Sequence, residues 1–433
     1  MFRNKYLFLL IVASIFLSYA ALRSARFGGP GSLIGFGCIV DDVCFSGLNS
    51  SVIPEGAPVF STGGYDGQFY YYVAAAIYSD YTLVSLSELK DSKTNSDVLV
   101  VDSMGFRLPR IGFPLVTGWL FGLGSRALML GMPLLLLLVH LCASSMLFSA
   151  RPRAGWLFAL NPVSLLSFGL NLAEPLALSA SLVAILLLLQ KGSGRISGQS
   201  GMMRKSPLLV YGASAFLLIL GFLSKETMFI VGLAFGAGLS VAAFTKIFRA
   251  IGSGKSGAAK IGSILERDFS VVLRWPVIVA LLLSGAIAFA WYLWAGFFSG
   301  DGAGGKMNIP FSGVLDFIQT RPALISGRGL LLPGILWLTI LALLLFIRCW
   351  KGKGSWMEHR FVLPGLWLNL ALISMASAQE YWLTFANIVR LFAPAMVFLA
   401  FLRKNWMFRL SFLWVVLLTL LLWLNDLKAL LQS

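Results

Sequence analysis

A few charged side chains stand out because each lies beside a long apolar segment. Asp66 belongs to the stretch Gly64-Tyr-Asp-Gly-Gln-Phe-Tyr-Tyr-Tyr-Val-Ala74, in which a Gly-rich turn precedes a run of aromatic residues. A carboxylate next to a hydroxyl can accept its proton, and cationic side chains can stabilise a departing phosphate. Arginine suits a phosphate well because its guanidinium group donates two parallel hydrogen bonds. The cationic candidates are Arg107, Arg110, Lys225 and Arg390.

Further candidates are spread along the chain. Glu174, Glu226 and Glu380 each lie at the end of an apolar segment, where an ionisable group is costly and its position therefore informative. Asp41 and Asp42 are alternative acids for the role of Asp66, although solvated loop acids are the simpler interpretation. The remaining candidate contacts to a substrate are Tyr65, Gln68 and Tyr70.

The charged candidates also have structural interpretations. Asp66 fits the N-cap of a short helix, and Glu174 fits a first helical turn, where the helix dipole favours an acid. Lys225 and Glu226 fit a hairpin tip in water. Arg390 fits a side chain that reaches to the membrane surface. The sequence leaves both interpretations open for each residue.

The elements that must position these residues are predicted to be membrane spans. Of the 433 residues, 58% are hydrophobic and 12% are charged, and the mean hydropathy is +0.84. A soluble domain of this size could not bury so much apolar surface. We therefore expect an all-α polytopic membrane protein with about eleven transmembrane helices. The predicted spans are residues 6–22, 127–148, 155–170, 173–190, 207–223, 226–245, 276–299, 329–348, 361–377, 386–402 and 410–425.

The chain is expected to have three parts: a first transmembrane helix (1–22), an extracytoplasmic loop (23–126, the first loop) and a multi-span bundle (127–433). The first loop holds nine of the 18 acids and the Asp66 motif. Within it we expect a short helix over 67–78 with Asp66 at its N-cap, an irregular segment over 79–104, and an interfacial piece over 111–124. The aromatic residues after Asp66 either stack on sugar rings or pack inside the protein.

The distribution of basic residues predicts the orientation in the membrane. The chain has 34 Lys and Arg, 18 Asp and Glu, and a net charge of +16. With the N-terminus inside, the inside segments carry 21 of the 34 basic residues, as positive-inside topology requires. The C-terminus and the candidate site residues are then outside. Because topology accounts for the positive charge, we expect the lipid bilayer as a partner and no nucleic acid.

Cysteine and histidine give weaker signals. Cys38 and Cys44 share the first loop and would form a disulfide in an oxidising compartment, with two free thiols as the alternative. His140 and His359 are too few and too far apart to indicate a metal centre or a Ser-His-Asp triad. No metal ligands are predicted, and whether a divalent metal assists stays open.

Taken together, these motifs resemble bacterial integral-membrane glycosyltransferases of the GT-C superfamily. The specific part is Gly64–Ala74 followed by Phe106-Arg-Leu-Pro-Arg-Ile-Gly-Phe-Pro114, which is similar to the first-loop signature of that family and to the Trp-Asp-Gly motif of the mannosyltransferases of glycolipid-anchor synthesis. One departure is the long interval between the first span and Asp66, where Asp41 and Asp42 offer another acid. Shorter matches follow in the same order: Asn161-Pro162 with Glu174, Ser224-Lys-Glu-Thr227, and Asn387-Ile-Val-Arg-Leu-Phe-Ala-Pro394.

The resemblance implies an enzyme of the bacterial cytoplasmic (inner) membrane whose active face is outside and whose catalytic base is Asp66. It implies transfer of a sugar from a polyprenyl-phosphate donor to a cell-surface glycan or lipid-linked acceptor. A single acid favours one displacement with inversion. The main rival is a transporter or flippase of a lipid-linked or anionic amphipathic substrate, which should have polar groups near the bilayer midplane and broken helices. A scaffold subunit would tolerate changes to the outer acids.

Overall fold

Apolar helices make up most of the protein. The computed structural model describes residues 4–40, 43–61, 64–89, 97–193, 207–252, 275–299, 312, 331–376 and 385–431. By length and composition, four helices in these ranges can cross a membrane, and shorter apolar helices accompany them. The protein therefore has the expected helical, multi-pass character, whereas the number of about eleven spans stays a prediction. The four helical segments are Lys5–Phe27, Ser125–Ala150, Pro276–Phe297 and Trp406–Lys428.

The described helices and strands are as follows, in chain order. The helices are α1 Lys5–Phe27, α2 Phe45–Leu48, α3 Asp66–Ile77, α4 Leu86–Leu89, α5 Met104–Arg107, α6 Gly112–Thr117, α7 Ser125–Ala150, α8 Pro152–Ala159, α9 Pro162–Gly169, α10 Glu174–Ser193, α11 Pro207–Ser224, α12 Phe229–Gly252, α13 Trp275–Ser299, α14 Leu331–Trp350, α15 Leu363–Met375, α16 Phe385–Leu391, α17 Ala393–Ala400 and α18 Trp406–Leu431. The 3₁₀ turns are Pro30–Leu33, Ser50–Val52, Leu108–Arg110, Gly118–Leu123 and Glu226–Met228, and Glu358–Val362 is a π-helical turn. The strands are β1 Cys38–Val40, β2 Val43–Cys44, β3 Thr82–Ser85 and β4 Val98–Val101.

Helix α1 shows how local sequence sets the ends of a span. The Asn4 side chain accepts hydrogen bonds from the backbone N–H groups of Tyr6 and Leu7, so it caps the first turn. The helix ends where Gly28 adopts a left-handed conformation, with φ of 84°. The span thus runs five residues beyond the predicted end at residue 22.

Two of the predicted spans are broken. The segment 155–170 consists of α8 and α9, because Asn161 caps a new helix by accepting from the Ser164 N–H and Pro162 occupies its first turn. The segment 386–402 is also divided, at Phe392 between α16 and α17; no side chain caps the second helix, but Pro394 lies in its first turn. The prediction of one continuous helix in each segment was wrong.

The first loop contains more regular structure than predicted. Strands β3 and β4 pair in parallel, from Thr82↔Val98 to Ser85↔Val101, inside the segment expected to be irregular. β1 and β2 pair antiparallel, and the Cys38–Cys44 disulfide joins them, which confirms the predicted bond. The segment 111–124, which we predicted to be interfacial, consists of α6 and the 3₁₀ turn that follows it.

Helix α3 is the centre of the first loop. It begins at Asp66 itself with Tyr65 at the N-cap, so the prediction of Asp66 as the capping residue was off by one position. The aromatic run that follows is buried: Tyr71 donates to the backbone oxygens of Val52 and Ser125. These rings therefore pack inside the protein, and their bulk fixes the start of α3 against α7.

Candidate functional site

Seven of the predicted charged site residues meet in one cluster around the start of α3. They come from the first loop, from the start of α10, from the turn after α11 and from α16, which are far apart in sequence. Ion pairs among the described residues connect Asp66 to the cations from two sides. These seven residues and Asp102, which pairs with Arg107, form what we call the charged cluster: Asp66, Asp102, Arg107, Arg110, Glu174, Lys225, Glu226 and Arg390.

Arg107 holds Asp66 from within the first loop. Its Nη2 lies 3.1 Å from Oδ1 of Asp66 and 2.7 Å from Oδ2 of Asp102, and its Nε donates to Oδ1 of Asp102. The guanidinium carbon lies 4.1 Å from the ring centre of Phe69 and 4.8 Å from that of Phe106. Stacking and pairing together fix the orientation of this guanidinium group.

Arg390 holds the same carboxylate from the helical bundle. Its Nη1 lies 3.2 Å from Oδ2 of Asp66, and its Nε lies 2.6 Å from Oε1 of Glu174. Lys225 pairs with the same Glu174 oxygen at 3.3 Å. Glu174 therefore aligns two cations beside Asp66, and this role differs from that of a simple first-turn acid.

Arg110 and Glu226 form the other side of the cluster. The guanidinium makes two hydrogen bonds to the carboxylate, at 2.8 Å and 2.5 Å, and it stacks over Phe106 at 3.8 Å. Two parallel bonds give the pair a defined geometry. The first loop is thereby tied to the start of the 3₁₀ turn before α12.

Gly67 allows the first loop to approach the bundle closely. A Cβ added at this position would lie 2.5 Å from the carbonyl oxygen of Leu170 and 2.7 Å from that of Ile34. Only glycine fits there without a shift of backbone. The Asp-Gly pair thus places the Asp66 carboxylate within hydrogen-bonding distance of Arg390, which belongs to the bundle.

Asp66, Asp102 and Glu226 face water more than the cations of the cluster do, whereas Glu174 is fully buried. The side chain of Asp66 is 27% exposed, whereas that of Arg107 is 3% exposed and that of Arg390 is 12% exposed. Burial alone would raise the pKa of Asp66, but the positive charges of Arg107 and Arg390 outweigh it and lower the pKa below its usual range. Asp66 is therefore ionised, and an anion that reaches this surface meets cations just beneath the carboxylates.

Several buried polar atoms near the cluster lack a partner among the described residues. They include the hydroxyl of Tyr70, Nη1 of Arg107 and Oε2 of Glu174. Burial raises the pKa of Tyr70 to about 12, so its hydroxyl stays protonated and can donate a hydrogen bond. Buried polar groups are usually paired, and unpaired ones beside a charged cluster are typical of a site that binds a polar ligand.

Two predicted contact residues have internal roles. Gln68 is fully buried, and its Oε1 accepts from the Gly37 N–H and the Tyr72 hydroxyl. Tyr65 lies next to Arg23, whose guanidinium carbon is 5.6 Å from its ring centre. Both residues support the turn before Asp66, and their contact with a substrate stays a prediction.

Three predicted acids lie outside the described residues: Asp41, Asp42 and Glu380. Asp102 was not predicted, although it belongs to the charged cluster. The sequence feature that could have identified Asp102 is its position directly after the apolar, mostly β-branched run Val98–Val101, a pattern typical of a strand end.

Metal ligands are not grouped in the part of the chain that the structure describes, since no three His, Cys, Asp or Glu side chains there are placed to hold an ion. Comparisons with known protein families, curated proteins and solved structures find no match for this chain. The site must therefore be interpreted from its own geometry.

Proposed function

We propose that this protein is a membrane glycosyltransferase that moves a sugar from a polyprenyl-phosphate donor to a hydroxyl of a cell-surface glycan or lipid-linked acceptor. The observation that carries the proposal is the Asp66 carboxylate, which is shared between Arg107 and Arg390 at a partly exposed surface. We further propose that the site faces the outside of a bacterial inner membrane. The resemblance of the first-loop motif to the GT-C superfamily supports this assignment.

The reaction needs a base and a site for the leaving phosphate. The acceptor oxygen forms a bond to the anomeric carbon while the bond from that carbon to the phosphate oxygen breaks. The acceptor proton passes to Asp66, and the electron pair of the broken bond stays on the phosphate. Arginine and lysine side chains beneath the carboxylates can stabilise this charge. With Asp66 as the only base, one displacement inverts the anomeric carbon.

Asp66 is a weak base while two guanidinium groups hold it. Its low pKa means that the carboxylate accepts a proton poorly in the free protein. A donor phosphate carries negative charge and can compete with Asp66 for Arg107 and Arg390. Once the phosphate takes these partners, its charge raises the pKa of Asp66 and makes the carboxylate a better base. Donor binding would thus activate the base.

A transporter or flippase is the second candidate, because of the broken helices. The pairs α8–α9 and α16–α17 are interrupted apolar segments, and interrupted helices line the substrate sites of many transporters. The position of the site cations favours a glycosyltransferase over a transporter, because they lie beside one partly exposed carboxylate and not at the middle of a span. Sealed vesicles separate the two: a transporter moves the lipid-linked substrate without forming a glycosidic bond.

The test is product formation by the purified full-length protein from a panel of polyprenyl-phosphate sugars, measured by mass spectrometry. Asp66→Asn should lower transfer by about 10²-fold or more, because the base is lost. Asp80→Asn is the matched control, since Asp80 is an exposed acid of the same loop. Repeating the reaction with a chelator and with added Mg²⁺ decides whether a metal assists. Normal transfer by Asp66→Asn would shift the role of base to Asp41 or Asp42.

A further inference from the structure

A basic cavity lies at the opposite end of the bundle from the charged cluster. It has a volume of about 380 Å³ and is lined by Arg151, Arg153, Lys404 and the apolar side chains of Pro152, Leu402 and Phe408. The first loop meets the Ser125 end of α7, whereas the cavity lies beyond its other end at Ala150. A helix of 26 residues is roughly 39 Å long, so the two sites lie near opposite ends of a helix long enough to cross a membrane.

The cavity lies at the level of lipid headgroups. Two of the four long apolar helices end beside it, α7 at Ala150 and α18 at Trp406. Spans end where the hydrocarbon core meets the headgroups, and Trp is enriched at that level. The Trp406 side chain is 51% exposed, as expected for such an anchor.

The charges around the cavity favour an anion. Arg151 donates to the backbone oxygens of Ala400 and Leu402, at 3.1 Å and 2.6 Å, so these two carbonyl groups at the end of α17 are already paired. Arg153 and Lys404 are exposed and have no acidic partner in the described ranges. The eight-residue helix α8 begins at the cavity, has no side-chain cap, and adds its partial positive charge.

Glu358 is the acid whose charge acts on Arg151, but it is held by other partners. Glu358 is fully buried and does not line the cavity. It accepts from the backbone N–H groups of Ser355 and Arg403, and Arg348 lies 3.8 Å from its carboxylate.

We propose that this cavity binds the phosphate headgroup of an anionic phospholipid. Arg153 and Lys404 would contact the phosphate, and the apolar side chains of Leu402 and Phe408 would contact the glycerol and the first carbons of the acyl chains. Basic pockets between spans bind anionic headgroups in this way. By the charge count the occupied leaflet is the cytoplasmic one, and the proposal does not depend on the chemistry of Asp66.

The test is a lipid titration of the full-length protein in detergent, followed by native mass spectrometry with phosphatidylglycerol or phosphatidylcholine. The variant R153Q/K404Q should bind phosphatidylglycerol roughly tenfold less tightly, because each surface cation contributes to anionic lipid binding. The control K351Q/R409Q removes two exposed cations that do not line the cavity, so both variants change the net charge equally. It should keep wild-type affinity.

Two results would overturn the proposal directly: an equal loss of phosphatidylglycerol affinity in the two double variants, or binding of phosphatidylcholine as tight as that of phosphatidylglycerol. Displacement of phosphatidylglycerol by excess inorganic phosphate would also overturn it, because it would indicate a site for free anions. If R153Q/K404Q does not fold, Lys404→Gln alone provides the test, because this side chain is exposed. It should weaken phosphatidylglycerol binding and leave phosphatidylcholine binding unchanged. Wild-type affinity for phosphatidylglycerol in that variant would also contradict the proposal.

Discussion

Lys225 is the site cation whose charge depends on pH in the neutral range. Burial and the nearby charge of Arg110 lower its pKa to about 8. As the pH rises through this value, Lys225 loses its proton and Glu174 loses one of its two cationic partners. We expect kcat/KM for the donor to fall above pH 8, because the site then holds phosphate less tightly.

Lys225→Arg should remove this alkaline fall, since a guanidinium group stays protonated. The measurement is the pH profile of kcat/KM for the wild type and this variant. A fall that persists unchanged in the variant would show that Lys225 does not cause it.

Arg390 has a geometry that lysine cannot reproduce. Its Nη1 and Nε reach two different carboxylates, those of Asp66 and Glu174, from opposite edges of one planar group. Arg390→Lys should keep the positive charge but lose one of the two bonds, and we expect KM for the donor to rise about tenfold. Steady-state kinetics with Arg403→Lys as the control checks this. An unchanged KM for the donor would mean that the positive charge of this residue is sufficient for donor binding and that the guanidinium geometry is not needed.

The sequence identified most of the cluster at the level of single residues. Charged side chains beside apolar segments are costly, so Glu174, Lys225 and Arg390 were conspicuous without any structure. Asp102 was missed, because acids in a polar loop are common and only the Arg107 contact distinguishes it. Gln68, a predicted substrate contact, has a buried side chain whose Oε1 is already paired, and its contact with a substrate stays a prediction.

Among the secondary-structure elements, α3 depends on a single glycine near its start. Because a Cβ at Gly67 would meet two carbonyl oxygens, Gly67→Ala must displace the start of α3 or the α9–α10 connection. We expect a loss of about 2 kcal/mol in stability and a larger loss of activity, since Asp66 moves with the helix. Thermal unfolding and transfer rate are the measurements. The control is Gly122→Ala, where an added Cβ meets open space.

Helices were easier to predict than their interruptions. Hydropathy located the apolar segments, but it averages over a window and so missed the starts of new helices at Asn161-Pro162 and Ala393-Pro394. The parallel pair β3–β4 was missed for another reason. Each strand has only four residues, and a parallel pairing joins segments that are distant in sequence.

For the whole molecule, a buried ion pair connects the first and last helices. Asp426 of α18 accepts from Arg23 at 3.1 Å and from Arg26 at 2.9 Å. Asp426→Asn removes the counter-charge and leaves the guanidinium of Arg23 buried without it. We expect a loss of about 3 kcal/mol in the free energy of unfolding.

The double variant Arg23→Leu/Asp426→Leu should recover most of this stability, because neither buried charge remains. Chemical denaturation in detergent compares the three proteins. If Asp426→Asn were as stable as the wild type, the pair would not stabilise the bundle.

The convergence of the site is the property that sequence could not establish. Nothing in the local pattern shows that Asp66 and Arg390, 324 residues apart, share a hydrogen bond. The pairing follows from the packing of the first loop on the bundle through Gly67 and through the Arg110–Glu226 pair. The orientation across the membrane still depends on the charge count alone.

The most direct test of the central claim compares donor affinity and transfer rate in Asp66→Asn. If Asp66 is a base that yields its arginine partners to the donor phosphate, the variant should bind the polyprenyl-phosphate sugar at least as tightly as the wild type. It should also lose transfer by about 10²-fold or more, because the acceptor proton has no recipient. Normal transfer, or a loss that arises entirely from weaker donor binding, would contradict the account.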